Sequence, residues 1–159
     1  MLTASNDRTL RLWNTADGEF VREFSGHELA VLDGEFSRDG KTIASGGEDS
    51  TARLWNVATG ELLATLQGHI APVNGVSFSA DGQRLFTASQ DRTAKVWDAS
   101  AGHRGKEILT LAQHSEEVTA VAIDPAGQTV LTASRDGAAI LWLTAPWKVS
   151  PVENAPPAE

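Results

Sequence analysis

Apolar residues along this chain come in short runs broken by Gly, Asp, Asn and Ser, and no stretch carries a helical period. The pattern predicts short strands over 31–36, 42–45, 51–55 and 61–66. Their turns are Ser37-Arg38-Asp39-Gly40, 46–50 and 56–60. The same set returns at 73–78, 84–87, 93–97 and 107–111, and again at 118–123, 129–132 and 138–142. In all, about 14 strands are expected. Aligning the sets gives two neighbouring apolar columns. One holds Met1, Ile43, Leu85 and Val130; the other holds Leu2, Ala44, Phe86 and Leu131. Neighbouring strand residues point to opposite faces, so these strands should be buried on both sides, in sheets stacked against like sheets. A further column, Leu12, Leu54, Val96 and Leu141, has the basic neighbours Arg11, Arg53 and Lys95. Their stems are expected to cover apolar surface while their heads reach water.

Polar markers recur in phase with these strands. His27, His69 and His114 each precede a hydroxyl residue by 18 positions (Ser45, Thr87, Thr132). An Asp follows that hydroxyl by four (Asp49, Asp91, Asp136), and a Trp by 10 (Trp55, Trp97, Trp142). A shorter copy opens the chain as Thr3, Asp7 and Trp13. Successive Trp residues lie 42, 42 and 45 apart, and the insertion 101–106 accounts for the longer last step. A period in this range points to a propeller.

Composition narrows the function classes. Hydrophobic residues make up 41% and charged residues 21% of 159, a globular balance. A net charge of −8 argues against non-specific binding to nucleic acid or an anionic membrane. No apolar run approaches the roughly 18–20 residues that span a bilayer, and no signal peptide is visible, so a cytoplasmic location is expected. The absence of Cys excludes disulfides, thiolate metal sites and a Cys nucleophile.

The recurring Ser/Thr, His and Asp invite a hydrolase reading, but no Gly-x-Ser-x-Gly elbow occurs. A catalytic set is needed once, whereas this one returns in every copy. His27, His69 and His114 hold equivalent places in separate copies, which keeps them apart as metal ligands. Asp39-Gly40 and Asp81-Gly82 read as turn formers without the Asp/Asn ladder of a calcium loop. Ser45-Gly46-Gly47 is not followed by Lys-Ser/Thr, so no phosphate loop is present. No catalytic residue, metal or cofactor is expected.

The Gly-His start (Gly26-His27, Gly68-His69), the Asp-Gly hairpin, the Ser/Thr–Asp pair and the closing Trp resemble WD-repeat β-propeller blades up to Trp142. Gln113-His114 departs from the Gly-His start, and Trp-Asp itself occurs only at Trp97-Asp98. Gly137-Ala138 stands where the other copies have Thr9, Thr51 and Thr93, so the last copy is expected to be the least well stapled. The resemblance implies a buried hydrogen-bonded chain of His, hydroxyl, Asp and Trp in each complete copy. It also implies a partner-docking rim at Asn6, Glu48, Gln90 and Arg135, at Ala30, Pro72 and Glu117, and at Arg8 and Arg92 beside them.

The expected fold is all-β: about three and a half four-stranded blades, in an open arc or part of a larger ring. The expected divisions are a partial first blade at 1–24 lacking its innermost strand, then blades at 25–66, 67–111 and 112–145, and a Pro-rich tail at 146–159. Residues 147–152 are a candidate edge strand. The expected function is a non-catalytic scaffold for a protein or peptide partner, as the C-terminal segment of a longer propeller protein. The alternative is a regulatory or sensor segment of an enzyme such as a bacterial serine/threonine protein kinase. Two alternatives to a segment of a longer protein are a homodimer closing a ring of about eight blades and a strained four-bladed monomer.

Overall fold

A computed structural model describes residues 1–143; the tail 146–159 and the candidate strand 147–152 lie outside the described residues. Fourteen strands form four antiparallel sheets, and no helix occurs among the described residues that is long and apolar enough to cross a membrane. The first sheet holds β1 (Leu2–Ala4), β2 (Thr9–Trp13) and β3 (Phe20–Ser25). The second runs from β4 (Val31–Phe36) through β5 (Thr42–Gly47) and β6 (Thr51–Asn56) to β7 (Leu62–Gln67). The third runs from β8 (Val73–Phe78) through β9 (Arg84–Ser89) and β10 (Ala94–Asp98) to β11 (Glu107–Leu111). The fourth holds β12 (Val118–Ile123), β13 (Thr129–Ser134) and β14 (Ala139–Leu143). The strands β5, β9 and β13 run two residues past the predicted ends, which puts Ser45, Thr87 and Thr132 mid-strand.

Register repeats from sheet to sheet. Ser45 lies opposite Arg53, and Thr87 opposite Lys95. A bulge falls just before Trp13, Trp55 and Trp97 in the pairing of their strands with the next one out. Three apolar cores lie between the sheets. Leu10 and Phe24 of the first sheet meet Val31, Ile43 and Trp55 of the second. Ala44, Leu54 and Leu66 meet Val73, Leu85 and Trp97 of the third. Phe86 and Val96 meet Val130 of the fourth, with Val121, Ile123 and Trp142 beside them. Trp55 and Trp97 are fully buried. An aromatic side chain buries about 150–250 Å², or about 4–6 kcal/mol of gross transfer free energy each.

Each sheet therefore has a forward face (the Ala44, Leu54 side) that packs on the back face of the next (the Leu85, Trp97 side). The stack is open at both ends. Two-sided burial holds for Ile43, Ala44, Leu85 and Phe86 but not throughout the columns. Leu131 and Leu141 on the forward face of the fourth sheet are 43% and 62% exposed, and Met1 on the first sheet is 62% exposed. These residues match the apolar columns, but no neighbouring sheet among the described residues covers them.

Candidate functional site

The best-defined polar constellation is a repeated one, built across two strands, the turn that joins them and the loop that enters each sheet. In the second sheet the indole Nε1–H of Trp55 on β6 donates to Ser45 Oγ on β5 at 2.9 Å. Ser45 Oγ lies 2.7 Å from His27 Nε2, and His27 Nδ1 lies 2.9 Å from Asp49 Oδ2. The third sheet repeats this with Trp97 to Thr87 at 2.9 Å, Thr87 to His69 at 2.7 Å and His69 to Asp91 at 2.7 Å. The fourth does so with Trp142 to Thr132 at 2.9 Å, Thr132 to His114 at 2.8 Å and His114 to Asp136 at 2.9 Å. The indole can only donate, so each hydroxyl accepts from Trp and gives its proton to Nε2. The imidazole is left to donate Nδ1–H to the carboxylate.

The far side of each carboxylate closes the turn. Asp49 accepts from the Glu28 N–H and from both the N–H and hydroxyl of Thr51. Asp91 accepts likewise from Ile70 N–H and from Thr93. Asp136 accepts from Ser115 N–H and Ala138 N–H, with no hydroxyl in the Thr position. Burial pushes the Asp49 carboxyl up, but the Thr51 hydroxyl, the Glu28 amide and His27 outweigh it and hold it below the usual carboxylate range. Burial of Asp91 is overcome chiefly by His69 and Thr93. Asp136 is pulled down to about 2, first by the Ala138 amide, against burial, with help from His114. Burial pushes His27 below its ordinary value, against the pull of Asp49.

The first sheet lacks the imidazole. Trp13 Nε1–H still donates to Thr3 Oγ1 at 2.9 Å. Asp7 takes Arg11 instead, at 2.7 Å, besides the Thr9 hydroxyl at 2.6 Å. The basic column thus departs from the expectation that its heads reach water. Arg11 also binds Glu23, Arg53 lies 3.6 Å from Asp49, and buried Lys95 binds Glu107 at 3.0 Å and Thr110 at 2.8 Å. The strand outside each basic residue, or the turn Asp, supplies an acceptor closer than solvent.

Glycine enters this site for one local reason. A Cβ on Gly26 (φ 151°) would lie 2.8 Å from the Arg53 guanidinium and 3.2 Å from the Trp55 ring, and one on Gly68 2.9 Å from the Glu107 carboxylate and 3.0 Å from the Trp97 ring. Gln113 occupies that place in the fourth sheet, where Trp142 is only half-buried.

The imidazoles and hydroxyls are buried in all three sheets, while the carboxylates of Asp49, Asp91 and Asp136 are half-buried. The rim beside it is open. Glu48 N–H donates to Ala30 C=O, Gln90 N–H to Pro72 C=O and Arg135 N–H to Glu117 C=O, so backbone bonds tie the two rim loops of each sheet together. Asn6, Arg8, Glu48, Arg92 and Arg135 are exposed; Pro72, Gln90 and Glu117 are half-buried. Ala30 is buried and presents no side chain to a partner, because its loop turns inward to offer that carbonyl. Arg135 pairs with Glu117 at 3.3 Å, and Gln90 donates to Asn74. Arg8 (φ 75°), Ser50 (φ 63°), Arg92 (φ 72°) and Gly137 (φ 83°) hold the same left-handed turn position in the four sheets.

Two features escaped the sequence reading. Ile70 stands on the rim 90% exposed, its N–H held by Asp91, and only its place after His69 marks it. Asp33 and Glu35 on β4 accept from the Val76 and Phe78 amides of β8, capping donors on the free edge of the third sheet. Burial pushes the Glu35 carboxyl up. Their signal was two acids on a strand whose counterparts are Gly75 and Ser77, or Ala120 and Ala122.

Comparison with known proteins places these repeats. The WD40 family model (WD domain, G-beta repeat) matches residues 18–56, 60–98 and 105–142, well over half of the chain. The WD repeat domain-containing protein 83 of Homo sapiens is 44% identical over 45 residues, which is 28% of this chain. The chain spans only 14% of that relative's length.

Proposed function

Since the chain belongs to the WD40 family, whose repeats generally mediate protein–protein interaction, we propose that it is a non-catalytic scaffold that docks a protein or peptide on its His-side rim. The observation that carries this reading is the division of labour within each sheet. The groups with chemical potential, His, hydroxyl and Asp, are spent on one another and on the turn, three times over. The side chains left uncommitted sit on loops fixed by backbone bonds, where a partner meets a preset surface. Glu48, Arg92 and Ile70 lie on neighbouring loops of the second and third sheets and offer an acid, a base and an apolar contact within that surface. The buried constellations are proposed to act as staples that hold those loops in place.

The test is quantitative affinity capture with the wild-type chain and with Glu48→Lys/Arg92→Glu. Both side chains are exposed, so the melting temperature should stay within a degree or two. A partner retained by the wild type should be lost by the variant. Equal recovery would remove this rim from the docking surface.

A further inference from the structure

We infer that a cleft between the second and third sheets, on the rim opposite the His-side one, binds an acidic peptide segment, with Arg104 taking one of its carboxylates. The strands β4 and β8 start at the His-side rim and end at this one. The cleft has a volume of about 370 Å³. Its walls are the β4–β5 turn (Ser37, Asp39), the β8–β9 turn (Asp81, Gln83) and the loop from β10 to β11 (Ser100, Arg104). That loop holds the insertion 101–106, so the cleft forms where the repeat period is broken. It shares no residue with the proposed docking rim and does not rest on that reading.

The loop is fixed by its own backbone. Gly105 N–H donates to Asp98 C=O, Asp98 N–H to Lys106 C=O and His103 N–H to Ser100 C=O, while Ala99 N–H ties its start to Gln83 C=O. Gly105 (φ 91°) lies against β7, where a Cβ would stand 3.6 Å from the Thr65 carbonyl oxygen and 3.7 Å from Ala64. Gly60 holds the same place in the second sheet and lies against Arg22 of β3. There the guanidinium is used: Arg22 Nη1 donates to Thr59 C=O at 2.9 Å. Arg104 has no such use. It is half-buried, its Nε is covered and unbonded, and its side chain makes no hydrogen bond or ion pair among the described residues. A guanidinium held in this way calls for an acceptor, and a carboxylate answers two of its N–H groups at once. Arg38 also lines the cleft, and it is exposed, as are His103 and Lys106 on the loop. This rim is therefore locally basic in a chain of net charge −8.

The acids in the wall select a peptide over a small bare anion. Asp39 Oδ1 is taken by the Ser37 hydroxyl and the Lys41 N–H, and Asp81 Oδ1 by the Ser79 hydroxyl and the Gln83 N–H. Their charges repel a free phosphate, and their remaining oxygens accept N–H donors. A peptide supplies both halves, a side-chain carboxylate for Arg104 and backbone N–H groups for the acids. A second hollow on the other side of Arg104, lined by Leu63, Gly102 and Lys106, carries the groove across the loop for an extended segment.

The test is fluorescence anisotropy on the full chain with a short labelled peptide of alternating Glu and Gly, compared with its Gln-for-Glu version and with inorganic phosphate as competitor. The Glu peptide should bind with a Kd of about 10–500 μM, and the Gln peptide about tenfold more weakly. Arg104→Gln should weaken the Glu peptide by about tenfold or more. Arg38→Gln, at an exposed position outside the inserted loop, should weaken it by about two- to fivefold with an unchanged melting temperature. Glu48→Lys/Arg92→Glu should bind this peptide as the wild type does, so failure here and failure of the docking rim are read separately. No binding of the Glu peptide up to about 2 mM overturns the proposal. So does undiminished binding by Arg104→Gln or by Arg38→Gln, or displacement of the peptide by an equal concentration of phosphate.

Discussion

The second and third sheets and the first and fourth carry the same sequence pattern, yet they are held differently. In the middle, Ile43, Ala44, Leu85 and Phe86 are sealed by a sheet on each side, and Trp55 and Trp97 are fully buried. At the ends, Met1, Leu131 and Leu141 sit in the same columns and face outward, and Trp13 and Trp142 are half-buried. The polar staples grade in parallel. Asp49 and Asp91 each hold an imidazole and a Thr hydroxyl, Asp136 holds an imidazole but no side-chain hydroxyl, and Asp7 holds a Thr hydroxyl with an arginine in the imidazole's place. A repeat's sequence thus sets what a sheet offers, and its neighbours set how much of that becomes stability.

Acid should produce the largest effect. Asp49, Asp91 and Asp136 all titrate below the ordinary 3.8 in the folded chain. The folded state therefore binds fewer protons than the unfolded chain below that pH. Their contribution is fully present above pH 3.8 and is lost as pH falls through the folded values, which for Asp136 is about 2. His27, lowered from 6.5, acts in the same direction and begins the decline below pH 6.5. Urea unfolding at a series of pH values should show a shallow fall below 6.5 and a steep one below 3.8. A flat profile down to pH 3 would contradict the assignment.

Removing one hydroxyl should separate middle from end. Thr87→Val strands the Trp97 indole and His69 Nε2 in a dry interior, at about 1–3 kcal/mol. Thr3→Val removes the acceptor of an indole that water can reach, so its cost should stay within about 0.5 kcal/mol. Equal losses in the two variants would show that the sheets do not differ as described. The smallest effect is a gain. Ala138→Thr restores the hydroxyl that Asp49 and Asp91 receive, and should raise unfolding free energy by about 0.5–1.5 kcal/mol.

Much of this was legible in the chain. The strands 31–36, 73–78, 107–111 and 118–123 lie where the alternation put them, because short apolar runs between Asp-Gly turns have little choice but to pair as hairpins. The spacing of His27, Ser45, Asp49 and Trp55 was readable because a constant offset between short strands brings the same side chains together each time. What was not legible depends on neighbours. Nothing near Leu131 says that its side chain is left exposed while Ala44 and Phe86 in the same column are buried. Lys95 reads as a solvent-reaching base until Glu107, beyond the inserted loop, is folded beside it. Asp33 and Glu35 read as polar residues on an inward strand, because their partners are backbone amides that carry no sequence signal. Ala30 lay in a rim loop by alignment, but one inward turn of backbone took its side chain out of solvent.

The central claim is that each imidazole is a fixed relay between a hydroxyl and a carboxylate. Long-range ¹H–¹⁵N spectra of the imidazoles at neutral pH test it directly. His27, His69 and His114 should each appear as the neutral Nδ1–H tautomer with an unprotonated Nε2 and a slowly exchanging ring proton, while His103, on its exposed loop, should average both tautomers. Three rings that exchange freely with solvent, or that carry the proton on Nε2, would contradict it.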